Sequence, residues 1–118
     1  MSGQKSYLAG FAAEESVALK YQSAGHRILA RRWRGKSGEI DIVAEGPTGL
    51  IFVEVKSSKT HARAAASLSV RQQNRLRRAA EEFAAQRHGR TNIDMRVDVA
   101  LMDQVGRIEI LENALLAA

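Results

Sequence analysis

The chain contains no cysteine and a single proline, Pro47. Without cysteine there is no disulfide framework, no thiolate metal site and no cysteine nucleophile. Aromatic residues are scarce, and no apolar run is long enough to span a bilayer. The opening stretch, MSGQKSYLAGFAAEESVALK, lacks the long apolar core of a signal peptide. The nine glycines form no Gly-x-x-x-x-Gly-Lys phosphate loop. His26, His61 and His88 are scattered without ligand spacing, which argues against a zinc site. These absences lead to the expectation of a soluble cytoplasmic protein with no membrane partner.

What is present is charge, unevenly placed. The net charge is +5 with a sequence pI near 10.1. Arg27, Arg31, Arg32, Arg34 and Lys36 crowd one segment, and Arg71, Arg75, Arg77 and Arg78 another. Arginine heavily outnumbers lysine, and its planar fork suits phosphate better than a point charge does. A polyanion partner is one reading of these clusters; a solvated basic face is the other.

The 118 residues suffice for one domain, 1–118, with one core. Periodicity predicts a helix over 6–24, strands over 26–34, 38–45 and 49–56, a loop over 57–66 and a helix from Ser69 to Arg87. Strands over 95–102 and 107–111 complete the chain. The order is helix, three strands, helix, two strands. A strand-helix-strand step favours an α/β sheet with a parallel pair at the crossover.

The segment GEIDIVAEGPTGLIFVEVKSS, residues 38–58, holds the main anomaly: carboxylates inside apolar strands. Alternation puts Ile51, Val53 and Val55 on one face and Leu50, Phe52, Glu54 and Lys56 on the other. Folding the hairpin at Pro47 and Thr48 pairs residues whose numbers sum to 95, so Asp41 meets Glu54 with Lys56 one step along. Opposed carboxylates repel and raise one pKa unless a cation intervenes. Mg²⁺ takes oxygen ligands, typically one or two carboxylates, and keeps several waters. A salt-bridged pair on a half-exposed strand is the alternative for the same residues. Glu14 lies beside the apolar stripe of the first helix, where its carboxylate can approach such a metal. Trp33 is expected as a partly buried core aromatic, and Asp98, between valines, as a structural hydrogen-bond or salt-bridge group.

"GEID", a short hairpin and "FVEVK" together resemble the YraN family of small bacterial proteins, nuclease-like members of the PD-(D/E)XK superfamily, which is similar in size to archaeal Holliday-junction resolvases. GFAAEESVALKYQSAGHRILARRWR, RQQNRLRRAAEEFAAQ and MRVDVALM extend the resemblance over nearly the whole chain. It implies a restriction-endonuclease-like fold: a mixed central sheet flanked by helices. It implies Mg²⁺-dependent endonuclease activity on DNA, branched or single-stranded, with Mn²⁺ as substitute. By this resemblance Asp41 and Glu54 are metal ligands, Lys56 the catalytic lysine and Glu14 the helix glutamate of the acidic cluster. Arg31, Arg32, Arg34, Lys36, Arg71, Arg75 and Arg78 would hold phosphates. A homodimer and a DNA-processing protein partner fit the same picture. The rival reading is a catalytically silent nucleic-acid-binding or adaptor module. Three positions depart from the family pattern: Arg32 where asparagine is usual, Ser58 where a basic residue is usual, and Gln72 where lysine is common.

Overall fold

The computed structural model describes residues 2–89 and 93–115, with side chains from Gly10 onward. Eight elements follow in chain order: α1 Ser2–Ser23, β1 Arg27–Arg34, β2 Glu39–Gly46, β3 Gly49–Ser57, α2 His61–Ala66, α3 Val70–His88, β4 Met95–Met102 and β5 Ile108–Leu111. The strands form one mixed sheet in the order β1-β2-β3-β4-β5. β3 and β4 run parallel across the α2–α3 crossover, and the other neighbours are antiparallel. The α/β architecture is the expected one, a mixed sheet flanked by helices.

One element was not anticipated. Residues 57–66 read as a loop, but α2 occupies 61–66. The Thr60 side chain accepts the Arg63 N–H at 3.1 Å and caps the helix, and four of its six residues are alanine, the strongest helix former. The longer α3 starts on a capping box: Ser69 accepts from Gln72 N–H, and the Gln72 side chain accepts from Ser69 N–H, both at 3.1 Å. It ends at Gly89, whose φ of 73° is the left-handed conformation that stops helices.

β3 is the central strand, apolar on both faces. Leu50 and Phe52 pack with Leu76, Ala80 and Phe83 of α3. Ile51, Val53 and Val55 pack with Val17, Ala18 and Tyr21 of α1. Trp33 joins the α3 side, its ring edge-on to Phe83 at 5.4 Å. The β2–β3 hairpin turns at Pro47 and Thr48, closing on a Gly46↔Gly49 pair. Gly49 has φ +148°, and a β-carbon there would collide with the Asp94 carbonyl. Among the described residues, no helix is long and apolar enough to cross a membrane.

Asp98 is buried on the α1 side of β4 and ties three elements together. It accepts from Tyr21 Oη at 2.7 Å, Arg96 Nε at 3.0 Å and the Asn113 N–H at 3.0 Å. The structural role read for it is the role it has. Burial and the nearby Asp98 charge drive the Tyr21 hydroxyl well above its ordinary pKa. Asp98→Ala strands a guanidinium and a buried hydroxyl, so we expect a loss of about 3 kcal/mol. Tyr21→Phe removes only a neutral partner and should cost about 1 kcal/mol. Urea denaturation of both variants beside the wild type checks this; equal losses would show that Asp98 is not the centre of the network.

Candidate active site

β2 and β3 part company at Asp41. Their ladder runs regularly from Gly46↔Gly49 to Ile42↔Val53, pairs whose numbers sum to 95 as the hairpin argument requires. Regular antiparallel exchange would next carry the Val55 N–H to the Ile40 carbonyl. Instead Asp41 Oδ2 accepts it at 2.8 Å. The carboxylate replaces a main-chain acceptor and lets β2 swing away. Ile40 then buries with Val43 and Phe52 on the α3 side, whereas Ile42 packs on the α1 side. Strict alternation would put Ile40 and Ile42 together.

The gap holds the polar groups. Burial is the main reason the Glu54 carboxyl is pushed up, to about 8; the Asp41 charge and a hydrogen bond shared with Asp41 add to it. Lys56 opposes the shift, its Nζ 3.5 Å from Glu54 Oε2. Two carboxylates this close repel each other unless one is protonated or a cation lies between them.

A cavity of about 460 Å³ opens beside the pair. Asp41 and Glu54 line it from the sheet, Arg34 from the end of β1, Glu39 from the start of β2, Gly38 from the connection between them, and Gln72 and Arg75 from α3. Gly38 has φ +151°, and a β-carbon there would lie 2.8 Å from Arg75 Cγ, so glycine lets α3 approach this connection. Glu82 of α3 pins the same connection by accepting the Lys36 and Ser37 N–H groups at 3.0 and 2.9 Å.

Glu14 reaches toward the site from α1. Burial raises its carboxyl above the ordinary value, Asp41 and Glu39 add repulsion, and a hydrogen bond from Arg32 lowers it. Arg32 Nε lies 2.8 Å from Glu14 Oε1. Glu15 faces away and pairs with Arg31 at 2.6 Å. Among the described residues, no three His, Asp or Glu side chains are gathered as a metal-holding group. Asp41 and Glu54 are together; Glu14 is near enough to feel the Asp41 charge but is held by Arg32.

The basic residues divide into two sets. Arg27, Arg31, Arg32 and Arg34 of β1 each pair with a glutamate, Glu45, Glu15, Glu14 and Glu39 in turn, at 2.6–2.8 Å. Most of the β1 charge is therefore balanced locally. Arg71, Arg75 and Arg78 are exposed on α3. Arg75 lines the cavity with Arg34; Arg31, Arg32, Lys36, Arg71 and Arg78 do not.

Sequence reasoning passed over Glu39 and Glu82 as site groups. Glu39 neighbours Asp41 at a spacing that alternation places on the same side, but the motif drew attention to the aspartate alone. Nothing in the sequence links Glu82 to residues 36 and 37. Gln72 stood out only as a departure from a family pattern, although Ser69-x-x-Gln72 is a legible capping box.

A small α/β domain with two half-buried carboxyls where its sheet divides defines the class. The model of the uncharacterised protein family UPF0102 matches residues 13–102. UPF0102 proteins from two Cereibacter sphaeroides strains, ATCC 17029 and ATCC 17025, are each 53% identical over 117 residues, spanning 99% of this chain and 100% of theirs. A UPF0102 protein of Ruegeria pomeroyi is 50% identical over 112 residues, 95% of this chain and 91% of that one. The chain belongs to the UPF0102 family, the YraN family of the sequence resemblance. A solved structure of Pyrococcus furiosus SfsA in complex with Ca²⁺ shows a distant likeness, with 19% identity, a TM-score of 0.38, and coverage of 91% of this chain and 63% of that one.

A carboxyl with a higher pKa in the folded than in the unfolded chain stabilises the fold in its protonated form. The Glu54 contribution is thus complete below about 4.5 and is lost as pH rises through about 8. Wild-type stability should decline relative to Glu54→Gln between pH 5 and pH 8, measured by urea midpoints at each pH. Parallel pH curves for the two proteins would mean that Glu54 titrates normally.

Proposed function

We propose that this protein is a divalent-metal-dependent phosphodiester hydrolase acting on DNA, with a restriction-endonuclease-like fold. The observation that carries the reading is the Asp41–Glu54 pair, two carboxyls lining a cavity that Arg75 and Arg34 also line. Paired carboxyls half removed from water repel each other unless a cation or a proton intervenes. Their oxygen donors suit Mg²⁺, with Mn²⁺ as substitute, and two carboxylates are a usual complement for that ion. When bound, the ion would activate a water and offset charge developing on the phosphate.

The remaining roles fall to the chain itself. Asp41 is fixed by its bond to the Val55 N–H, so its carboxylate is oriented by the backbone. Lys56 Nζ, 3.5 Å from Glu54, is placed to orient the attacking water or stabilise the developing charge. Arg75 and Arg34, which line the cavity, would act as phosphate contacts, and Lys36, Arg71 and Arg78 would hold phosphates beyond it. Such contacts make affinity fall steeply with salt.

One observation favours a second reading, a DNA-holding module without cleavage: Glu14 is paired to Arg32, and no three-carboxylate group is assembled among the described residues. Calorimetric Mn²⁺ titration separates the two. The hydrolase reading expects binding by the wild type and its loss in Asp41→Ala. Lys56→Ala should keep metal affinity within about twofold while cutting of single-stranded and branched DNA drops by about a hundredfold or more. Lys56→Ala cutting at the wild-type rate would remove Lys56 from the mechanism. Absence of Mn²⁺ binding, with and without DNA, would leave the silent module.

A further inference from the structure

Arg31 and Arg32 are consecutive in β1, yet both reach glutamates of α1. Consecutive strand residues ordinarily point to opposite faces. Arg32 escapes that rule because its φ is +49°, a left-handed conformation uncommon outside glycine, asparagine and aspartate. The backbone is bent to bring this guanidinium to Glu14. Above it lies the half-exposed Phe11 ring, 5.2 Å from the guanidinium carbon, which adds a cation–π contact. The pair is partly exposed, with side-chain exposures of 35% for Arg32 and 19% for Glu14, so an incoming anion can reach the arginine.

Glu14 sits within electrostatic reach of Asp41 and Glu39. Held by Arg32, it adds no net negative charge to the Asp41–Glu54 pair. We infer that Arg32 is a positioning residue that withholds Glu14 from the acidic site and releases it when a substrate phosphate takes the guanidinium. The inference rests on the metal-site reading above and extends it to regulation. Binding of a phosphodiester to Arg32 would turn the neutral Arg32–Glu14 pair into a carboxylate free to turn toward Asp41, which draws a divalent cation more strongly. By linkage the reverse holds: a bound cation that engages Glu14 frees Arg32 for phosphate. Metal and DNA then bind cooperatively, and cation affinity stays low until substrate arrives.

The test uses Mn²⁺ titration of the full chain. Arg32→Asn removes the charge while suiting the left-handed backbone. It should bind Mn²⁺ at least about fivefold tighter than the wild type in the absence of DNA, the scale of a modest coupling energy. Adding Glu14→Gln to that variant should return the affinity to the wild-type value. Independently, Glu14→Gln alone should bind DNA-free Mn²⁺ no more tightly than the wild type and should lose the gain that a duplex oligonucleotide confers, measured in a Lys56→Ala background so that no cleavage intervenes. This second arm stands even if Arg32→Asn fails to fold. Equal Mn²⁺ affinity in wild type and Arg32→Asn, with the oligonucleotide gain retained in Glu14→Gln, would overturn the inference and leave the two-carboxylate site standing. Absence of Mn²⁺ binding in every protein, with or without DNA, would instead overturn the metal-site reading, and the inference with it.

Discussion

The Asp41 carboxylate on the Val55 N–H is the contact on which the site depends. A main-chain donor leaving an antiparallel ladder needs another acceptor, because an unsatisfied buried N–H is costly. With a side chain as acceptor, β2 can diverge from β3 without that cost. The divergence opens the sheet, admits α3 from one side and brings α1 near from the other. Glu54, still in β3, is left facing Asp41 across the opening. A single hydrogen bond thus makes the geometry and fixes one of its chemical groups.

The charges around the opening follow a consistent logic. On β1 every arginine in an ion pair meets a glutamate, two of them from α1, so the strand edge is nearly neutral despite its sequence. Exposed pairs of this kind contribute little to stability. Their effect is to choose which cations remain available to a polyanion, and the exposed arginines of α3 are those that remain. Buried charge is handled differently. Asp98, fully enclosed, is satisfied by Tyr21, Arg96 and the Asn113 N–H, and is structural. Glu54 has instead a like-charged neighbour and a lysine at 3.5 Å. The contrast separates a carboxylate that holds the fold from one that the fold holds in readiness.

Rigidity concentrates where the cavity needs it. Glu82 accepts two successive N–H groups of the β1–β2 connection, and Gly38 lets the Arg75 side chain lie against it. The capping box at Ser69 and Gln72 fixes the start of α3 at the same wall. Each device is local, and together they define one side of the cavity over the core that Leu76 shares with Phe52 and Phe83.

Much of this was readable from the residues alone. Alternation in LIFVEVK assigned both faces of β3, because side-chain period in a strand is two and cannot drift. A two-residue turn at Pro47 and Thr48 fixed the hairpin register and so the meeting of Asp41 with Glu54, and the strand-helix-strand order forced the parallel step. α2 escaped notice because six residues are too few for periodicity, and its cap, Thr60, resembles any loop threonine. The partners of the arginines were not legible either: Arg32 finds Glu14 only through a left-handed backbone residue, and Glu82 finds residues 36 and 37 across a gap of more than forty positions. Local pattern determines which side chains share a face. Which charge meets which across faces is decided by how the helices settle on the sheet, a long-range outcome that no short spacing encodes.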